Sequence, residues 1–302
     1  MNISNMEQFG QSMTDAIGRL LPQNQIVKMN TVLKNNGYRA VGICIFEEDH
    51  NIAPTLYLDS FYHRYQEGEE LSQLAQEFLE EYKRYQINEK IDISFFTDYQ
   101  KVKGRIVFKL INRKLNQELL TQIPHRSFMD LEIVYYCLME HDTMGNATIL
   151  IHKSHMEQWN VREEDLWKIA RQNTPKRLRG EICDMKKIIE EITSIRFGSE
   201  VWEEMQDITM YVMTNKKRFL GAAVLLYDHV VRQFAYTIGK NLYIIPSSVH
   251  ELILVPDDGK IDVDNLNQMV REVNREQLDE REVLADHVYY YDYEDDILTA
   301  CI

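Results

Sequence analysis

The tripeptide Asn35-Asn36-Gly37 stands between two runs with strand character, Lys28 to Lys34 and Tyr38 to Glu47. Asn and Gly accept positive φ at little steric cost, which is what the tightest hairpin turns demand. A hairpin joins neighbouring strands antiparallel, whereas a parallel sheet needs a long crossover between them. The grouping recurs along the chain. A short strand is expected at Thr55 to Leu58. After Pro124, two apolar runs, Leu131 to Met139 and Ala147 to His152, flank the loop His141-Asp142-Thr143-Met144-Gly145-Asn146. Gly104 to Ile111 alternates too little for a solvated edge and reads as a buried strand. Further strands are expected at Asp207 to Thr214, Gly221 to Tyr227, Leu242 to Ile245 and Glu251 to Val255. One more lies in the tyrosine run after Val288, before an acidic turn.

Helices are interspersed among these strands. Leu71, Leu74, Ala75, Phe78, Leu79, Tyr82 and Tyr85 recur at three- and four-residue spacing, which predicts one apolar stripe on a helix from about Glu69 to Gln86. Its aromatic side chains are expected to pack on the preceding hairpin. Met6, Phe9, Met13, Ile17 and Leu20 predict an amphipathic helix at the start. His229 to Ile238 and Asp264 to Arg275 predict two more, the latter with Leu266, Met269, Val270 and Val273 on one face. Ser154 and Glu157 have capping-box spacing. The acidic run Glu163-Glu164-Asp165 suits the positive end of a helix dipole and would face a phosphate backbone poorly. Residues 112–123 read as a polar link. The expectation is an α+β fold of antiparallel or mixed sheets built from hairpins with packed helices, in two subdomains of residues 1–123 and 124–302.

Charge and cysteine usage narrow the function classes. The net charge of −14 is concentrated late: residues 181–302 hold 24 acidic against 12 basic side chains, whereas 91–180 hold 11 against 14. Such a surface repels nucleic acid, so no nucleic-acid partner is expected; an acidic inhibitor that itself mimics nucleic acid is the weakest of the readings. Cys44, Cys137, Cys183 and Cys301 form no C-x-x-C pair and read as small buried thiols in a reducing compartment. No window approaches the roughly 18 apolar residues of a membrane span, and the first residues lack the pattern of a signal peptide. A cytoplasmic protein without membrane partners is expected.

Several stretches carry a family resemblance: Asn51-Ile52-Ala53-Pro54-Thr55-Leu56-Tyr57-Leu58, Phe95-Phe96-Thr97-Asp98-Tyr99, Pro124-His125-Arg126-Ser127-Phe128-Met129-Asp130-Leu131, Gly145-Asn146-Ala147-Thr148, Asn173-Thr174-Pro175, Met210-Tyr211-Val212-Met213-Thr214-Asn215, Gly221-Ala222-Ala223 and Pro246-Ser247-Ser248-Val249-His250-Glu251. Over nearly its whole length the chain resembles a family from anaerobic Gram-positive bacteria known only as a domain of unknown function. The second half is also distantly similar to another bacterial family with a Pro-Ser-Ser strand. The resemblance implies no activity, ligand or catalytic residue. Asn160 stands where the family pattern has Gly, a replacement that the left-handed region tolerates.

The residues themselves offer one candidate catalytic group, Ser247 and Ser248 with His250. On an extended segment Ser248 and His250 point to the same face, and a nucleophilic site needs a base within reach of a hydroxyl. An orienting carboxylate would come from elsewhere, Asp228 or Asp130 being examples. The plainer reading is a turn in which the hydroxyls bond free backbone groups. His125, Asp130 and Asn215 are candidate binding residues. His125, His141, His152 and His155 lack metal-ligand spacing, and no phosphate-cradling glycine loop occurs, so no metal or cofactor is expected. Gly221-Ala222-Ala223 reads as a close-packed strand start beside a helix. The leading reading is a non-enzymatic binding or adaptor protein with a protein or small-molecule partner. The alternative is a small-molecule hydrolase or transferase using Ser247 or Ser248 with His250.

Overall fold

A computed structural model of the chain describes residues 5–47, 53–85, 94–141, 145–188 and 209–302. Their strands form three antiparallel sheets packed with helices, so the fold is α+β. Gln86, Asp207, Ile208 and the loop residues 142–144, on which some expectations rested, lie outside the described residues. No described helix is long and apolar enough to cross a membrane. Two compact units are distinguished, one of Met1–Lys34 with Tyr38–Ser94, the other of Asn35–Gly37 with Phe95–Ile302.

The first unit begins with α1 (Met6–Leu20), which buries Phe9, Met13 and Ile17 along one stripe and is capped by the Asn5 side chain. The strands β1 (Gln25–Leu33) and β2 (Arg39–Glu47) pair antiparallel from Gln25 opposite Glu47 to Leu33 opposite Arg39. Asn36 and Gly37 supply the positive φ, 57° and 75°, expected of their turn. The short β3 (Leu56–Tyr57) extends the sheet beyond β2. Next come α2 (Asp59–Gln66) and α3 (Leu71–Tyr85), and α3 turns Leu74, Ala75, Phe78 and Tyr82 into the core. The odd-numbered Val41, Ile43 and Ile45 of β2 line that core, since a strand alternates its faces. The Tyr82 hydroxyl accepts from the Ile45 amide at 2.9 Å, which satisfies the one polar end of a buried ring.

In the second unit, α4 (Ser94–Thr97) and α5 (Tyr99–Val102) lead into β4 (Ile106–Asn112). Residues expected to form a polar link include α6 (Gln117–Gln122), which buries Leu119 and Leu120. Then come β5 (His125–Phe128), β6 (Leu131–His141) and β7 (Gly145–Leu150). The long β6 pairs with β4, with β5 and with β7. Pro124, the expected domain boundary, therefore lies between strands of one sheet. Two helices follow, α7 (Lys153–Trp159) and α8 (Glu163–Arg177), joined through Asn160 in the left-handed region. The capping contact at the start of α7 runs from the His152 amide to His155 Nδ1, two residues before the expected Ser154 and Glu157.

The remaining sheet has six strands in the order β13 (Ile297–Ala300), β12 (Tyr289–Asp292), β10 (Leu242–Ile245), β11 (Leu252–Pro256), β9 (Tyr211–Asn215), β8 (Gly180–Asp184). Strand β10 is buried on both faces: Leu242 and Ile244 join the main core, whereas Tyr243 and Ile245 face a second cluster with Val270. Val270 belongs to α10 (Val263–Glu276), and α9 (Val230–Ile238) precedes β10. Only part of the expected α10 stripe turns inward, because buried Asn267 accepts from the Val288 amide while Met269 and Val273 stay exposed. Gly221–Leu226, expected as a strand, is a 3-10 turn. Its small apolar residues report burial, not extension. Tight contact at Gly221 is with β9 and the His250 carbonyl: a Cβ there would lie 2.2 Å from Thr214 Oγ1 and 2.5 Å from His250 O.

Candidate functional site

The segment between β10 and β11 is a turn, not an extended run. Antiparallel pairing of Ile245 with Ile253 leaves residues 246–251 to reverse the chain. Ser248 Oγ accepts from the His250 amide at 3.0 Å, and the Ser248 amide donates to the Glu251 carbonyl. The Ser247 amide donates to the Ile245 carbonyl at 3.0 Å. The loop is also held from outside, through Val249 N–H to Glu282 O and Thr214 Oγ1 to His250 O. His250 Nδ1 accepts from the Leu220 amide at 3.0 Å. That bond fixes the neutral ring with its proton on Nε2, which faces Glu282 Oε1 at 3.6 Å. In this tautomer neither nitrogen offers a lone pair to a serine hydroxyl.

Asn215 lies in the same neighbourhood. Its side chain donates to the Phe219 carbonyl and accepts from the Lys217 amide, closing a turn in which Arg218 and Leu220 have positive φ. Asn215 and His250 thus hold one turn between them. Asp228 pairs with Arg171 on the surface at 2.7 Å.

His125 and Asp130 sit on the other sheet, at the β5–β6 hairpin, and have different partners. His125 Nδ1 meets Glu132 Oε2 at 2.9 Å, while Glu132 Oε1 accepts from Arg113 Nε at 2.6 Å and from Ser127 Oγ at 3.0 Å. Register explains the convergence, because Ser127 and Ile111 are both opposite Glu132. Burial alone would push the Glu132 carboxyl up, yet hydrogen bonds from His125, Arg113 and Ser127 outweigh it and hold the group below the usual carboxylate range. The Glu132 side chain is 3% exposed.

Asp130 follows Met129, which takes the positive φ of the hairpin turn. Its Oδ1 accepts from the buried Tyr289 hydroxyl at 2.9 Å, and Oδ2 lies 3.5 Å from His287 Nε2. At that distance the imidazole contact falls short of a full hydrogen bond, and Nε2 has no hydrogen-bond partner among the described residues. His287 Nδ1 faces Asp286 Oδ1 at 3.3 Å. The Asp130 contact, then Asp286, raise the basicity of His287 against the opposing effect of burial. Burial works against ionised Asp130 too, but His287 and Tyr289 hold its carboxyl below the ordinary value. Asp130, Asp286 and His287 line an open cavity of about 520 Å3 with Asn112, Arg113 and Lys114.

The six predicted site residues are therefore divided. Ser248, His250 and Asn215 organise neighbouring turns, Ser247 stands half-buried beside them, His125 serves Glu132, and Asp130 belongs to the cavity wall with His287. Sequence reasoning missed Arg113, Glu132, Asp286 and His287. Two signals were present: Glu132 is the one carboxylate in the apolar run Leu131 to Met139, and Asp286-His287 interrupts the buried Leu284, Ala285 and Val288. His152 and His155 stack edge to face at α7, and among the described residues no group of three or more His, Cys, Asp or Glu is placed to hold a metal ion.

Fold and site together define an α+β protein with a buried imidazole, His287, beside the half-buried Asp130 in a cavity wall. The chain belongs to a family of unknown function, DUF5688, which it matches over residues 6–293. No curated protein and no solved structure matches it.

Proposed function

We propose that the protein is a non-enzymatic binding protein whose second unit takes a small polar ligand into the cavity beside Asp130 and His287. The observation that carries this reading is the pair itself. A buried polar group costs stability unless it is hydrogen-bonded, and here the buried His287 Nε2, 3.5 Å from Asp130 Oδ2, has no hydrogen-bond partner among the described residues and stands in the wall of an open cavity. Asp286 and Lys114 add exposed charges of both signs to that wall. Support for a hydrolase using Ser247 or Ser248 is weaker, because Ser248 Oγ is occupied by its own turn and His250 Nδ1 by the Leu220 amide.

The test is a nuclear magnetic resonance titration of the full chain with a panel of small cationic, anionic and zwitterionic compounds. The expected result is that at least one compound shifts resonances of residues 112–114, 130 and 283–287 together, is recovered unchanged, and loses affinity in Asp130→Asn. A compound that is turned over, or a panel whose effects all lie elsewhere, overturns the reading.

A further inference from the structure

Strand β1 is an edge of its sheet among the described residues, and it is long for an unprotected one. It runs nine residues, Gln25–Leu33, in unbroken register with β2. Exposed edges are ordinarily blunted by proline, bulges, shortness or several charges, because their unpaired amides and carbonyls accept another strand. Strand β1 has no proline or acidic residue and one lysine, Lys28. Its outward residues include Ile26, 59% exposed, and Val32, 36% exposed, with Phe46 of β2 beside Ile26 at 38%.

We propose that β1 pairs antiparallel with β1 of a second copy of this chain, about a two-fold axis through Met29. Such a pairing is isologous, each residue meeting its counterpart by symmetry. Centred on Met29, it sets Ile26 opposite Val32 and Lys28 opposite Asn30. The exposed apolar side chains of the strand then cover each other, and no like charges meet. Neighbouring registers that keep the strand faces matched are poorer. Centring on Lys28 puts the two lysines together, and centring on Asn30 puts Ile26 opposite Lys34 and Lys28 opposite Val32. A single added strand buries less than a standard stable interface, so the dimer forms and dissociates in the micromolar range.

Two measurements on the full chain test the pairing. In sedimentation equilibrium the natural protein is expected to show a reversible dimer, weakened about tenfold by Val32→Lys, an exposed change that leaves the unit folded. Mixing Ile26→Cys with Val32→Cys under mild oxidation is expected to give a reducible dimer that neither variant gives alone, with the natural chain and its own cysteines as control. A monomer throughout the range, or Ile26→Cys joining itself as readily as it joins Val32→Cys, overturns the proposal.

Discussion

Glu132 shows how much one side chain decides in the second unit. It is nearly fully buried on the central strand β6, and two segments reach it, one through Arg113 just after β4 and the other through His125 and Ser127 of β5. A buried ion pair adds little over an apolar replacement, but removing one partner strands the others without compensation. Because Arg113 and His125 stay partly open to water, at 40% and 35% exposed, Glu132→Ala is expected to cost about 1–3 kcal/mol in chemical denaturation. Part of that loss should return when Arg113→Met is added, because the stranded cation is then gone. A loss no larger than that of a surface substitution would show that water reaches the site and screens the charges. Asp130 belongs to the same hairpin but is 30% exposed and carries one hydrogen bond from Tyr289, so its position is less stringent.

At the scale of elements, the turn of residues 246–251 is a junction more than a connection. It is bonded to the β9 end, to the 3-10 turn at Gly221–Leu226 and to Glu282. Ser248→Ala removes the side-chain acceptor of the His250 amide and is expected to cost about 0.5–1.5 kcal/mol while leaving ligand titrations at the Asp130 cavity unchanged. Gly221→Ala is expected to be worse, about 1–3 kcal/mol, because backbone atoms of Asn215 and His250 stand where the methyl would go. Thermal or urea unfolding checks both, and the order of the two losses is the informative result. A Gly221→Ala chain as stable as the natural one would mean that this turn moves freely to make room.

Over the whole molecule, pH links these pieces. Asp130 and Glu132 are held below their ordinary values, so the stability they contribute is complete above the usual carboxylate range and is lost as pH falls through their folded values. His287 is shifted the other way: its contribution is complete below the ordinary value of 6.5 and is lost as pH rises through the raised one. Stability should thus peak between these limits. Asp130→Asn removes the principal cause of the His287 shift, so the alkaline limb of a stability–pH profile should move to lower pH and the imidazole should titrate closer to its ordinary value. An unmoved limb would remove His287 from the account. Much of the architecture was legible in the chain, because hairpin turns, alternation and helical stripes are local signals: Asn36-Gly37, Asn160, α1 and α3 stand where residue chemistry places them. Gly221–Leu226 and α6 were misread because small or mixed residues report burial without fixing conformation. By itself the sequence determined the α+β class and the turn character of Pro246-Ser247-Ser248. Only the tertiary structure decided that His250 holds a backbone amide and that Asp130 meets His287 across 157 positions of chain, since which distant polar groups share one buried space depends on strand register and packing, not on neighbours in sequence.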